Sequence, residues 1–199
     1  MLIEQTSVPD QALPVQAFKS HLRMGSGFGL EDVQDEVLGS FLRAAIAAIE
    51  ARTDKALLAR MFTATISAWG DPRAQNLPIA PVSAIERVAT VSQSGDETVV
   101  SPQAYWLERD GHTPRLRPTE ASLPSAAHGG AVKVEFMAGF GAAWTDVPSD
   151  MQQAVLMLAA HYYEYRHDTA LTGGCMPFGV TSLIERFRVL RIGRGVAGI

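Results

Sequence analysis

Five histidines, one cysteine and a run of glycines are the residues of this chain that could do chemistry. The histidines are His21, His112, His128, His161 and His167, and only the last two lie close in sequence, with Glu164 between them. Six residues along an α-helix turn through roughly 600°, which points those two imidazoles about 120° apart. A helix that holds a metal presents its ligands at i and i+4 on one face. His161 and His167 therefore read as partly exposed side chains beside tyrosines, and no metal site is assigned.

Cys175 lies in a Gly-Gly-Cys-Met-Pro segment. A nucleophilic cysteine needs a base beside it and a lowered pKa, and the sequence offers no partner for it. A single cysteine forms no internal disulfide, which fits maturation in a reducing compartment. No serine stands in a G-x-S-x-G elbow. Gly139-Phe140-Gly141 stops short of G-x-G-x-x-G because Trp144 takes the third site, so a nucleotide fingerprint is absent. Gly139 and Gly141 are read instead as a structural turn that takes the chain sharply out of its last strand. Gly25, Gly27 and Gly29 follow a helix, not a strand, and form a break, not a phosphate cradle. No catalytic, cofactor-binding or metal residue follows from these patterns.

The elements that would position such residues are clearer. The chain has 199 residues, 47% of them apolar and 19% charged, enough for one ordinary domain with a real core. Its net charge of −4 and pI near 5.7 argue against a general nucleic-acid binder. The N-terminus lacks a basic n-region and an apolar h-region, so no signal peptide is expected. Apolar runs fall short of the roughly 18 residues that span a bilayer. A soluble protein made in the cytoplasm is the expectation.

Residues 1–9 read as an irregular arm. A short helix follows, with Val15, Phe18 and Leu22 on one face. Leu30 to Arg52 has helical periodicity through Val33, Val37, Leu38, Phe41, Leu42, Ala45, Ile46 and Ile49, and Glu31, Asp32, Asp35 and Glu36 sit where the helix dipole favours acids. From Met61 to Trp69 the period drops to two. Leu77 to Pro81 is an edge or strap. Val82–Val91 is a strand, Ser94-Gly95-Asp96 turns it into Thr98–Val100, and a second hairpin turns at Asp110-Gly111 between Tyr105–Leu107 and Arg115–Leu116. Ala131 to Met137 is a further strand, with Val132, Val134 and Phe136 on one side. Residues 60–140 thus make a small antiparallel β lobe of five or six short strands.

Helix returns after Trp144. Ser149 with Gln152 has the spacing of a capping box, and Met151, Val155, Leu158, Tyr162 and Tyr165 form a stripe. Ser182 with Glu185 is read as the start of a last short helix. The expected fold is α+β and mainly α: residues 1–59 and 141–199 build a helical bundle with a C-terminal arm, and 60–140 are inserted as the lobe. Leu38, Phe41, Ile46, Val155, Leu158 and Tyr162 are the expected core. The last helix and the GRGVAGI tail carry Arg186, Arg188, Arg191 and Arg194, with Glu185 the only acid after Asp168. This basic end either complements a helix dipole or forms an arm that orders on an acidic partner or faces passing DNA.

Three stretches taken in order resemble the head–tail connector (adaptor) family of long-tailed bacteriophages and of gene transfer agents derived from them. They are LEDVQDEVLGSFLRAAIAAIEARTDKALLARMF, then VKVEFMAGFGAAWTDVPSDMQQAVLMLAAHYYEYRHD, then PFGVTSLIERFRVLRIG, and the resemblance as a whole runs from about Val15 to Gly193. The resemblance implies a ring of copies, twelve to match the portal, in the neck of a phage-like particle, through whose lumen packaged DNA passes. It implies a portal protein and a tail-side stopper as partners, a C-terminal arm (Arg186, Arg188, Arg191, Arg194) that reaches the portal, and no catalytic residues or cofactor. No membrane and no sequence-specific nucleic-acid binding are implied. The alternatives are a neck stopper or tail-terminator ring and, in another class, a small cytoplasmic enzyme.

Overall fold

The computed structural model describes residues 1–24, 31–126, 128–166 and 176–188. Helix accounts for 37% and strand for 27%, so α+β describes the fold. Gly25, Gly27, Gly29, Leu30, His167, Cys175, Leu190, Arg191, Arg194 and the GRGVAGI tail lie outside the described residues.

Among the described residues four α-helices and eight strands follow in order: β1 Leu2–Glu4, α1 Val15–His21, α2 Glu31–Thr53, β2 Arg60–Ile66, β3 Gln75–Asn76, β4 Val82–Val91, β5 Glu97–Val99, β6 Tyr105–Glu108, β7 Arg115–Pro118, β8 Ala131–Ala138, α3 Ser149–Glu164 and α4 Phe178–Ile184. The strands form two antiparallel sheets, β1-β2-β8-β4-β5 and β3-β7-β6. β8 lies at the centre of the larger sheet, and its alternation explains why: Val132, Val134, Phe136 and Ala138 are buried while the residues between them are half-exposed. Phe62 stacks on Phe136 across the β2–β8 pair at 6.0 Å.

Two apolar clusters result. One gathers Phe18, Leu38, Leu42, Ala45, Ile46 and Ile49 with Met151, Val155, Leu158, Val180 and Ile184, so α1 and α2 meet α3 and α4 in a single core. The other lies between the sheets, around Phe62, Val88, Leu116, Val134 and Phe136. Leu38, Ile46, Val155 and Leu158 are buried, whereas Phe41 and Tyr162 lie half-buried at the rim of the helical core. Phe41 meets Tyr163 edge-on at 5.8 Å.

Several elements differ from the sequence expectation. The N-terminal arm is not irregular: Leu2 to Glu4 pairs with Phe62 to Ala64 and extends the larger sheet. Three residues are too few to show a period, and what fixes them is tertiary, an ion pair from Glu4 to Arg60 Nε at 2.8 Å. The sheet therefore draws on a segment outside 60–140, and that span itself holds seven strands instead of five or six, because two-residue β3 pairs with β7. Ser149 makes no capping hydrogen bond; Pro148 occupies the cap position, and the Gln152 amide donates instead to the Val147 carbonyl at 2.7 Å. The last helix starts at Phe178, behind Pro177, and Ser182 sits in its second turn.

Candidate functional site

The Arg-bearing end of the chain follows α4. Val180 and Ile184 press that helix onto the helical core, and a 3-10 turn over Glu185–Phe187 ends it. Arg186 Nη2 lies 2.9 Å from Asp150 Oδ2, and its guanidinium stacks over the Phe187 ring at 4.6 Å. Arg188 Nη1 donates to Glu185 Oε1 at 3.1 Å. Both arginines are exposed. Their charge is thus shared with acids of the same surface.

Gly139 and Gly141 stand where β8 hands over to the helical core. Gly139 has φ +139°, and a Cβ there would lie 2.4 Å from both Ala59 Cα and Ala59 N. A Cβ on Gly141 would lie 2.2 Å from Asp146 Oδ2, the oxygen that accepts from Ala143 N at 2.9 Å. Ala59 N donates to the Gly141 carbonyl and Gly139 N to the Pro81 carbonyl. Two backbones cross here without side chains between them, and the site is architectural.

Next to this crossing lies a buried charge cluster that the sequence reading missed. Glu50, near the end of α2, accepts from Leu57 N at 2.7 Å and from Arg60 Nη1 and Nη2 at 2.9 and 2.6 Å. Burial works against the Arg60 charge, but the hydrogen bonds and charge of Glu50, and then of Glu4, outweigh it and raise its pKa. Arg60 also stacks over Phe62 at 4.9 Å. The cluster ties α2, β1 and β2 together; nothing in it points to a substrate. Lys55 is a second such group. It is 1% exposed, its Nζ has no hydrogen-bond acceptor, and burial lowers its pKa against the opposing pull of Asp54 and Asp110. Neither group carries a local sequence signature, because each depends on contacts set by the fold.

The described histidines do not converge. His21, His112 and His128 are exposed, and the His161 ring lies 4.7 Å from that of Tyr165, tilted by 46°. Among the described residues no group of His, Cys, Asp and Glu side chains is placed to hold a metal ion, and no helix is long and apolar enough to cross a membrane. A depression between α1 and α2 gathers Asp10, Asp35, Glu36 and Arg43. Asp10 there is paired with Arg43, and Asp35 with Lys19 at 2.5 Å, so these charges fasten the helices together.

The surface instead presents apolar side chains. Phe178, Val99, Trp106, Tyr165 and Val37 are all exposed, Phe178 most of all.

No protein-family model matches the chain, and no curated protein is similar to it. Solved structures are. A chain in the neck of an empty gene transfer agent particle, computed with C6 symmetry, superposes with a TM-score of 0.89 at 48% identity, over 98% of each chain. A chain in the virion of a native gene transfer agent particle gives 0.86 at 48% identity, again over 98% of each. One in the neck of the native particle, computed with C12 symmetry, gives 0.84 at 46% identity with the same coverage. Identity at this level over nearly the whole of both chains is kinship, and it defines a structural protein of the neck of a phage-like particle. The chain belongs to the head–tail connector family of gene transfer agents.

Proposed function

We propose that this chain is the adaptor that forms a ring, twelve copies around, between the portal protein and the tail-side stopper, and lets packaged DNA pass through its lumen. The observation that carries the reading is near full-length kinship with chains from necks solved under six-fold and twelve-fold rotation. The composition supports it: an acidic chain of net charge −4 overall, with its C-terminal end basic, suits contact with other proteins and no general hold on DNA. The partners are argued from the family resemblance, and the portal-binding role falls to the arm with Arg186, Arg188, Arg191 and Arg194.

Electron microscopy of portal with and without the chain tests this. The expected result is an added ring on the tail side of the portal, absent when the chain is omitted. A truncation after Ile192 should keep the fold and weaken attachment to the portal. A neck that assembles normally without the chain, or a ring found only at the tail end of the neck, would refute the adaptor reading. Undiminished portal binding by the truncated chain would remove Arg194 and the residues after it from the arm.

A further inference from the structure

Phe178 has 89% of its surface open to solvent, the highest value for a large apolar side chain among the described residues. It stands on the first turn of α4, and the residues after it fix that helix in place. Gly179 lies so close to α3 that a Cβ on it would sit 2.9 Å from Met157 Cε. Val180 and Ile184 are wholly buried, and Thr181 N donates to the Pro177 carbonyl at 3.1 Å. The ring cannot turn inward without lifting α4 off the core. It adds nothing to the folding of a single copy, and rigidly displayed aromatics of this kind are the anchors of protein interfaces.

The same chain carries a receptor of matching character. Pro9, Ala12, Pro14, Ala17, Ala143 and Trp144 line an open groove between the segment entering α1 and the turn entering α3. Asp10, Gln11 and Gln16 also line it, so its lining mixes apolar and polar groups, as docking surfaces do. No residue of α4 lines the groove, whose α3 side ends at Trp144, before that helix begins at Ser149, whereas Gly179, the neighbour of Phe178, packs against Met157, about 12 Å along α3 from its start. Anchor and groove are thus two different surfaces of one subunit. A ring related by rotation alone needs such a pair, because each copy must offer one face to the copy before it and another to the copy after it. A two-fold contact would need one surface that fits itself.

We propose that Phe178 of each copy seats in the groove beside Trp144 of its neighbour around the ring. This rests on the ring reading above and names the contact that closes it; the occupant is a second copy of this chain. The test joins the two positions covalently. In a Cys175→Ser background, Phe178→Cys and Ala143→Cys are combined, the protein is assembled on portal, and the rings are oxidised. The expected result is a ladder of covalent multimers of this chain, which neither single-cysteine variant gives. Rings visible by microscopy without a ladder would overturn the contact, as would a crosslink from position 178 to the portal or to a tail-side neck protein. Phe178→Ser provides a second readout. It should fold as the parent does and need about tenfold more protein to form rings, so unchanged ring formation would also overturn the contact. A parent protein that forms no ring on portal would bring down the ring reading itself.

Discussion

Replacing Gly139 with alanine tests whether the crossing of two backbones is as tight as described. The new Cβ would lie 2.4 Å from Ala59 Cα and N and 2.5 Å from the Leu58 carbonyl carbon. Carbon atoms pack at about 3.5–4.0 Å, so the strands must part by about 1 Å. That movement loads the two hydrogen bonds across the crossing, Phe140 N to the Leu57 carbonyl and Ala59 N to the Gly141 carbonyl. Each is worth about 1 kcal/mol. The φ of +139° adds a further cost of about 1–2 kcal/mol for a residue with a Cβ. The expected loss is about 3–4 kcal/mol, which for a protein of this length lowers Tm by about 10 °C. Equilibrium urea unfolding followed by both far-UV circular dichroism and tryptophan fluorescence measures it. Gly111→Ala is the matched control, since a Cβ there meets nothing within 4 Å, and it should be neutral or slightly stabilising. A Gly139→Ala protein within 1 kcal/mol of the parent would refute the reasoning.

Leu158, 1% exposed between α2, α3 and α4, should not tolerate aspartate: an unpaired carboxylate buried there costs several kcal/mol, so a soluble, folded Leu158→Asp protein would show the core to be misplaced. Glu50→Gln removes the charge facing buried Arg60 and should cost about 3 kcal/mol, a loss that 1 M NaCl does not reproduce in the parent because buried pairs are weakly screened; a parent protein that loses as much stability in 1 M NaCl would count against the cluster. Lys55→Met should stabilise the protein by about 1 kcal/mol or more at neutral pH by removing an ammonium without an acceptor. The sign with pH follows from the lowered pKa. Between the folded value and the usual 10.5 the unfolded chain binds the extra proton, so parent stability rises with pH across that window. Unfolding curves from pH 7 to 10 should show that rise in the parent and a flatter profile in Lys55→Met.

What the sequence made legible was whatever repeats along the chain. The helical stripe through Leu38, Leu42, Ala45, Ile46 and Ile49 and the alternation Val132, Val134, Phe136 each bury one face, and burial imposes the period that gives them away. Val82–Val91 was bounded correctly because its two ends carry a proline and a Ser-Gly turn. β1 was hidden because a three-residue edge strand owes its existence to β2 and to Arg60. The capping box failed for a related reason: the spacing was present, but proline already fixes the entry to α3, and Gln152 found another acceptor. The basic C-terminal end was visible as composition, while the engagement of Arg186 by Asp150 was not, since those residues are distant in sequence and meet only when α4 packs on α3. The exposure of Phe178 has no sequence signal, because it depends on which face of α4 packs on the helical core.

The hairpin joining β4 and β5 offers a practical handle. Its tip at Gly95 has φ +94° and open space on every side, and it belongs to neither the groove nor α4. A short epitope or fluorophore-accepting peptide inserted there would extend into solvent without pulling on the ladder, because Ser92 N still closes the turn on the Asp96 carbonyl. Labelled particles would then report, copy by copy, how many subunits each assembled neck holds.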